Sequence, residues 1–254
     1  MSAGEPETGQ DAVELAELAG ALAARPAPRP HRTVRYGPGP AQVIDVYGAG
    51  APRVALLHGG FWREAHDRAY LVPFAVALAG LGVPVALLEY RRAGGGGGWP
   101  ATFDDVAAGL AALPGTGPVV LAGHSAGGQL ALWAAVSAPA RIARTVGVAA
   151  VGGLGRAAEL GLGRGAVGDF LGDRLGELLP VTDPLLLPRP AAPVLLVHGA
   201  ADRQVPPELS DAYAARHGAR LERLPGVGHY GMFVPGTGAA GWLLAELKLA
   251  VSRA

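Results

Sequence analysis

Cysteine is absent from the 254 residues, which excludes disulfides, thiolate-held metals and a cysteine nucleophile together. Lysine is reduced to Lys248 among 21 basic residues. With the abundance of Ala, Gly, Pro and Arg, this is a compositional bias and carries no functional reading. Neither sign of charge dominates: 21 acidic residues balance the basic ones, so nothing marks a surface for nucleic acid or anionic membrane. No apolar run reaches the ~20 residues that cross a bilayer, and no membrane partner is expected. Met1 to Gln10 is acidic where a secretory leader would be basic, so the expected location is the cytoplasm. What remains is 50% hydrophobic and 17% charged, the composition of a globular enzyme rather than of a disordered or coiled-coil chain.

Asp11 to Ala24 spaces Val13, Leu15, Leu18 and Leu22 as a helix would, and Arg25 to Pro30 follows as a stiff proline-rich connector. Residues 1–30 are therefore expected to be an appended helix and linker, and 31–254 one catalytic domain. From Thr33 onward short β-rich runs appear at Thr33–Tyr36, Gln42–Tyr47, Val54–His58, Val83–Leu88, Val119–Ala122, Val146–Val151, Val194–His198 and Arg220–Leu224. Helical stretches at Tyr70–Leu81, Phe103–Leu113, Gln129–Ser137, Pro206–His217 and Gly241–Ser252 alternate with the later ones. Such alternation predicts an α/β fold, a mostly parallel eight-stranded sheet with helices on both faces. Ligands bind such sheets beyond the carboxyl ends of the strands. Gly152 to Pro180 reads as a short cap between two late strands, and Gly94 to Gly98 as a flexible connector. Gly163 to Gly168 matches G-x-G-x-x-G, but it follows no apolar strand and lacks the acidic residue about twenty positions on, so dinucleotide binding is not expected.

The most informative stretch is Gly123-His124-Ser125-Ala126-Gly127-Gly128, directly after the apolar run Val119–Ala122 and before a helical one. A residue in so sharp a strand-to-helix turn takes a strained conformation, and side chains two positions to either side would collide with the turn. Gly123 and Gly127 meet both demands, and the turn lifts the Ser125 hydroxyl above the sheet beside the amides of a helix start. A serine nucleophile needs a base, an orienting carboxylate and oxyanion donors. Asp202 lies just past the strand Val194–His198, where it could hold an imidazole or cap the helix after Pro206. His229 sits on a glycine-flanked loop before the final helix. His58-Gly59-Gly60-Phe61-Trp62 offers backbone amides for a developing oxyanion, with His58 bracing the loop. His124 and His198 are expected to be structural. His58, His66 and Asp67 lack the helical spacing of a zinc site, so no metal is expected.

Taken together these residues resemble the α/β-hydrolase superfamily from Thr33 to the last residue. The Ser125, Asp202, His229 order is that of its triads. Within it, the GHSAGG elbow and HGG loop are similar to the esterase and lipase branch related to hormone-sensitive lipase and to kynurenine formamidases. His58 to Trp62 resembles the HGG-aromatic-Trp loop of the formamidases, and Glu89-Tyr90-Arg91-Arg92, Trp99-Pro100-Ala101 and Asp104-Asp105-Val106 echo that group. The resemblance implies Ser125, Asp202 and His229 as the triad and Gly60, Phe61 and Ala126 as oxyanion donors. It implies no cofactor, and makes Asp104 or Asp105 a helix cap or loop anchor. Trp62, Trp99, Phe170, Tyr230 and Phe233 are candidates either to line an apolar substrate pocket or to pack the core; Trp62, Trp99 and Tyr230 are taken as the substrate-binding set. The expected activity is hydrolysis of small carboxylic esters or amides through an acyl-enzyme. An arylformamidase acting on an N-formylkynurenine-type substrate is the alternative, and a non-catalytic binding protein of the same fold the rival from another class.

Overall fold

The computed structural model describes residues 16–21 and 28–254. Eight strands form one sheet: β1 (Arg32–Arg35), β2 (Val43–Tyr47), β3 (Val54–Leu57), β4 (Val85–Leu88), β5 (Val119–His124), β6 (Ile142–Val148), β7 (Val194–Gly199) and β8 (Arg220–Leu224). Their spatial order is β1-β2-β4-β3-β5-β6-β7-β8. The pairs β1–β2 and β2–β4 are antiparallel and every other pair is parallel. The expected mostly parallel eight-stranded sheet is therefore the one observed.

The helical segments are α1 (16–21), α2 (Val72–Gly80), α3 (Ala101–Ala111), α4 (Ala126–Ser137), α5 (Leu154–Glu159), α6 (Leu162–Leu171), α7 (Leu175–Thr182), α8 (Glu208–His217) and α9 (Gly238–Ser252). Successive strand residues point to opposite faces, and the core divides accordingly. Leu57 and Leu88 pack with Phe103 of α3 and Leu130 of α4, while their neighbours Leu56 and Leu87 pack with Phe74 of α2 and Leu243 of α9. The central strands read as unbroken apolar runs because both faces are covered. Among the described residues no helix is long and apolar enough to cross a membrane.

Two local expectations change. β6 starts at Ile142 rather than Val146 and stops at Val148; pairing with β5, which sets Val119 opposite Ile142, recruits the polar Arg144 and Thr145 that an apolar pattern leaves out. The glycines at 94–98 form a packed turn rather than a loose connector, since a Cβ on Gly97 would lie 2.3 Å from the Arg92 nitrogen and one on Gly98 3.0 Å from the Phe170 carbonyl. Of the helix expected over Asp11–Ala24, residues 16–21 are helical, and the rest, with residues 25–27 of the connector, lies outside the described residues. The connection from β6 to β7 carries α5, α6 and α7, with left-handed backbone at Gly161, Gly163, Arg164 and Gly165.

Candidate active site

Ser125 stands between β5 and α4 with φ 54° and ψ −118°, a conformation disfavoured for a residue with a side chain. Its neighbours explain how the turn closes. A Cβ on Gly123 would sit 2.1 Å from the Gly127 carbonyl oxygen, and one on Gly127 would sit 2.2 Å from that of His58. Only glycine allows the helix start to approach β3 so closely. The strained residue is pinned from the end of β6 and the segment after it: its N–H donates to the Val148 carbonyl at 2.9 Å and its carbonyl accepts from Val151 N–H at 3.3 Å.

The loop after β7 brings Asp202 under the loop after β8. His229 Nδ1 donates to Asp202 Oδ2 at 2.7 Å, which leaves Nε2 of that ring as its acceptor. His198 Nε2 lies 3.2 Å from the same oxygen and also donates to the Val205 carbonyl at 2.9 Å, while its Nδ1 accepts from Ser210. Asp202 Oδ1 meanwhile accepts from the Gln204 and Val205 amides, so one carboxylate both holds an imidazole and shapes its own loop. Burial alone would raise this carboxyl, but the His229 ring and the hydrogen bonds from His198 and His229 hold it below the ordinary carboxylate range.

Tyr70 and His124 connect these loops. Gly59 N–H donates to Tyr70 Oη at 2.7 Å, Tyr70 Oη–H donates to His124 Nδ1 at 2.7 Å, and His124 Nε2 donates to the His229 carbonyl at 3.0 Å. The directions follow from the last acceptor, a carbonyl, which requires the His124 proton on Nε2 and leaves Nδ1 to receive. Burial, with the neighbouring His229 second, pushes the His124 ring well below the ordinary histidine value, in keeping with this neutral form. The His124 and His229 rings are 4.6 Å apart.

The loop after β3 completes the arrangement. A Cβ on Gly59 would approach Ser125 Cβ to 2.9 Å, so this backbone lies against the serine. Gly60, Phe61 and Trp62 all have positive φ, at 109°, 54° and 55°, which turns the loop tightly enough for Arg63 N–H to reach the Gly60 carbonyl at 3.0 Å. His58 braces it: Nδ1 faces the Gly59 carbonyl and Nε2 the Glu89 carboxylate, each at 2.8 Å, and the ring stacks on Tyr90. Glu89 also binds Arg68 and Arg92. From above, α6 covers the loop, since Gly163 lies so close to the Phe61 ring that a Cβ there would meet it at 2.3 Å, and Arg63 pairs with Asp169 at 2.6 Å.

The aromatic candidates separate. Trp62 is buried in the core, stacked on Phe170 at 4.7 Å and donating from Nε1 to Gln129 at 3.0 Å; it braces the loop against α4 rather than walling a pocket, because the positive φ at 61 and 62 turns it inward. Phe170 and Phe233 are likewise buried. Trp99 is half-buried, edge-on to Phe103. Tyr230 alone of the five lines a cavity of about 210 Å³ at Gly60, shared with Leu18, His66 and Tyr70. Asp105 anchors a loop, taking Arg91 and Gln42. Tyr70, Gln129 and Glu17 carry no signature in the sequence, since their partners lie 54, 67 and more than 200 positions away. Among the described residues no group of three or more His, Asp or Glu is placed to hold a metal ion.

No family model matches the chain. Over 119 residues it is 35% identical to Lipase LipV of Mycobacterium tuberculosis, a match covering 44% of this chain and 38% of that one. The chain thus spans well under half of the curated relative it matches. The esterase of Pyrobaculum calidifontis superposes with a TM-score of 0.71 at 19% identity, covering 100% of this chain and 95% of that one. Esterase B of Lactobacillus rhamnosis gives 0.74 at 17%, covering 95% and 93%. At these identities the likeness carries the fold.

Proposed function

The chain has the α/β-hydrolase fold, and from that premise we propose that it is a serine hydrolase of small carboxylic esters or amides. The observation that carries the proposal is Ser125 held at φ 54° on the elbow, with a buried Asp202–His229 pair tied by His124 to the same turn. His229 Nε2 accepts the Ser125 proton as Oγ attacks the substrate carbonyl carbon. The developing oxyanion is received by the amides of Gly60, Phe61 and Ala126, donors worth about 3 kcal/mol each at such sites. The C–O or C–N bond breaks as His229 returns the proton to the leaving group. Water, deprotonated by His229, then releases the acid and restores Ser125.

The two-glycine loop and the small cavity at Gly60 favour short acyl groups over long chains. An arylformamidase is kept as the second reading because a formyl group is the smallest acyl unit and Tyr230 offers aromatic surface at the Gly60 cavity. The test is a panel of p-nitrophenyl acetate, butyrate and octanoate beside N-formylkynurenine, with fluorophosphonate labelling. Ser125→Ala should abolish both hydrolysis and labelling. A wild-type chain that neither hydrolyses nor labels would be a binding protein on this fold, and label confined to Ser137 or Ser210 would remove the nucleophile assigned above.

A further inference from the structure

Outside the catalytic domain expected from the sequence, α1 lies directly on the loop that carries His229. Glu17 Oε1 accepts the Gly228 N–H at 3.0 Å and Oε2 accepts the Tyr230 N–H at 3.2 Å. These two amides flank His229, whose own carbonyl is taken by His124. The backbone on both sides of the histidine is therefore held by one carboxylate from a segment more than 200 residues earlier. The approach is close enough to dictate residue size: a Cβ on Gly231 would lie 2.5 Å from Glu17 Oε1, and one on Gly20 would lie 2.9 Å from Val234 Cγ1. Ala21 is fully buried in the cluster that holds Met232 and Phe233. Next to Glu17 in the helix, Leu18 lines the 210 Å³ cavity together with Gly60, Tyr70 and Tyr230.

We propose that α1 is part of the active site, with Glu17 a positioning residue that holds the His229 loop in place and Leu18 a residue that limits the length of the acyl group. The reasoning rests on the hydrolase reading above. The loop has no helix or strand of its own between Leu224 and Gly231, so its geometry must come from outside it. Charge-assisted bonds from a carboxylate to two amides are among the stronger ways of supplying that geometry. A cavity of about 150 Å³ takes a benzene ring, so one of about 210 Å³ beside Gly60 takes a short acyl chain or one ring, and Leu18 in its lining sets how a longer tail can leave it.

The test uses the full chain and the variants Glu17→Gln and Leu18→Ala. Glutamine is isosteric, but it turns one oxygen into an NH2 that faces an amide N–H. The expected result is a kcat lowered about tenfold with KM within about twofold, a matching fall in the rate of fluorophosphonate labelling, and faster hydrogen exchange at the Gly228 and Tyr230 amides. Leu18→Ala should raise kcat/KM for octanoate relative to acetate about tenfold. Unchanged kcat and labelling in Glu17→Gln, in a preparation whose wild type is active, would overturn the clamp while leaving the hydrolase reading intact. So would a loss of thermal stability with no change in kcat. An inert wild type would remove the catalytic role of both residues, and unaltered exchange at the two amides would refute the clamp whatever the activity.

Discussion

Asp202→Asn isolates the orienting carboxylate. Oδ1 accepts two backbone amides, Gln204 at 3.0 Å and Val205 at 2.9 Å, so the asparagine oxygen must stay on that side. Its NH2 then replaces Oδ2 and faces two ring N–H groups, those of His229 at 2.7 Å and His198 at 3.2 Å. His198 keeps its proton on Nε2, because that atom still has the Val205 carbonyl at 2.9 Å. His229 has no such alternative and moves its proton to Nε2, where it can no longer accept one from Ser125. The expected loss in kcat is on the order of 10⁴, the scale seen for the same change in other serine triads, or about 5 kcal/mol of barrier. Initial rates with p-nitrophenyl acetate, corrected for folded enzyme by circular dichroism, measure it. The same variant should change the acid limb of stability. A carboxyl held below its ordinary value contributes stability that is complete above about pH 3.9 and is lost as the pH falls through that value toward the folded one; the asparagine variant should therefore fall less steeply below pH ~4. A rate loss under tenfold with the fold intact would refute the triad. Asp183, spent on the Gly155 and Leu185 amides, and Glu222, paired with Arg220 on the surface, would then need re-examination as the orienting group.

Removing the Tyr70 hydroxyl with Tyr70→Phe strands the buried Gly59 N–H and His124 Nδ1, at a cost of about 2–4 kcal/mol; urea unfolding reads it, and a change under 0.5 kcal/mol would show that water or a shifted loop takes over. Since burial keeps His124 neutral in the fold while the unfolded chain protonates near pH ~6.5, stability should decline as the pH drops below that value. His124→Gln should flatten this slope in thermal midpoints taken from pH 7.5 to 5, and an unaltered slope would place the titrating group elsewhere.

Much of the architecture was legible because the forces that decide it are local or periodic. Val119–Ala122 reads as a doubly covered strand from its unbroken apolar run, and Gly123-x-Ser125-x-Gly127 as a tight turn because it stands between that run and a helical one. Strand ends were less legible: Ile142 to Thr145 joins β6 only because β5 offers it partners. Trp62 shows the same limit at a side chain, since its inward turn depends on left-handed backbone at Phe61 and Trp62 that no composition rule predicts for aromatic residues.

An α/β sheet, a strained serine, and an aspartate and a histidine each past the end of a later strand follow from the chain alone, since periodicity and turn chemistry act over a few residues. How these groups meet depends on the folded arrangement. Asp202 also serves His198, Tyr70 ties the loop after β3 to the end of β5 through one hydroxyl, and Glu17 returns to hold the His229 loop. Hydrogen bonds between distant segments depend on the whole sheet being assembled first, and leave no periodic trace in the chain.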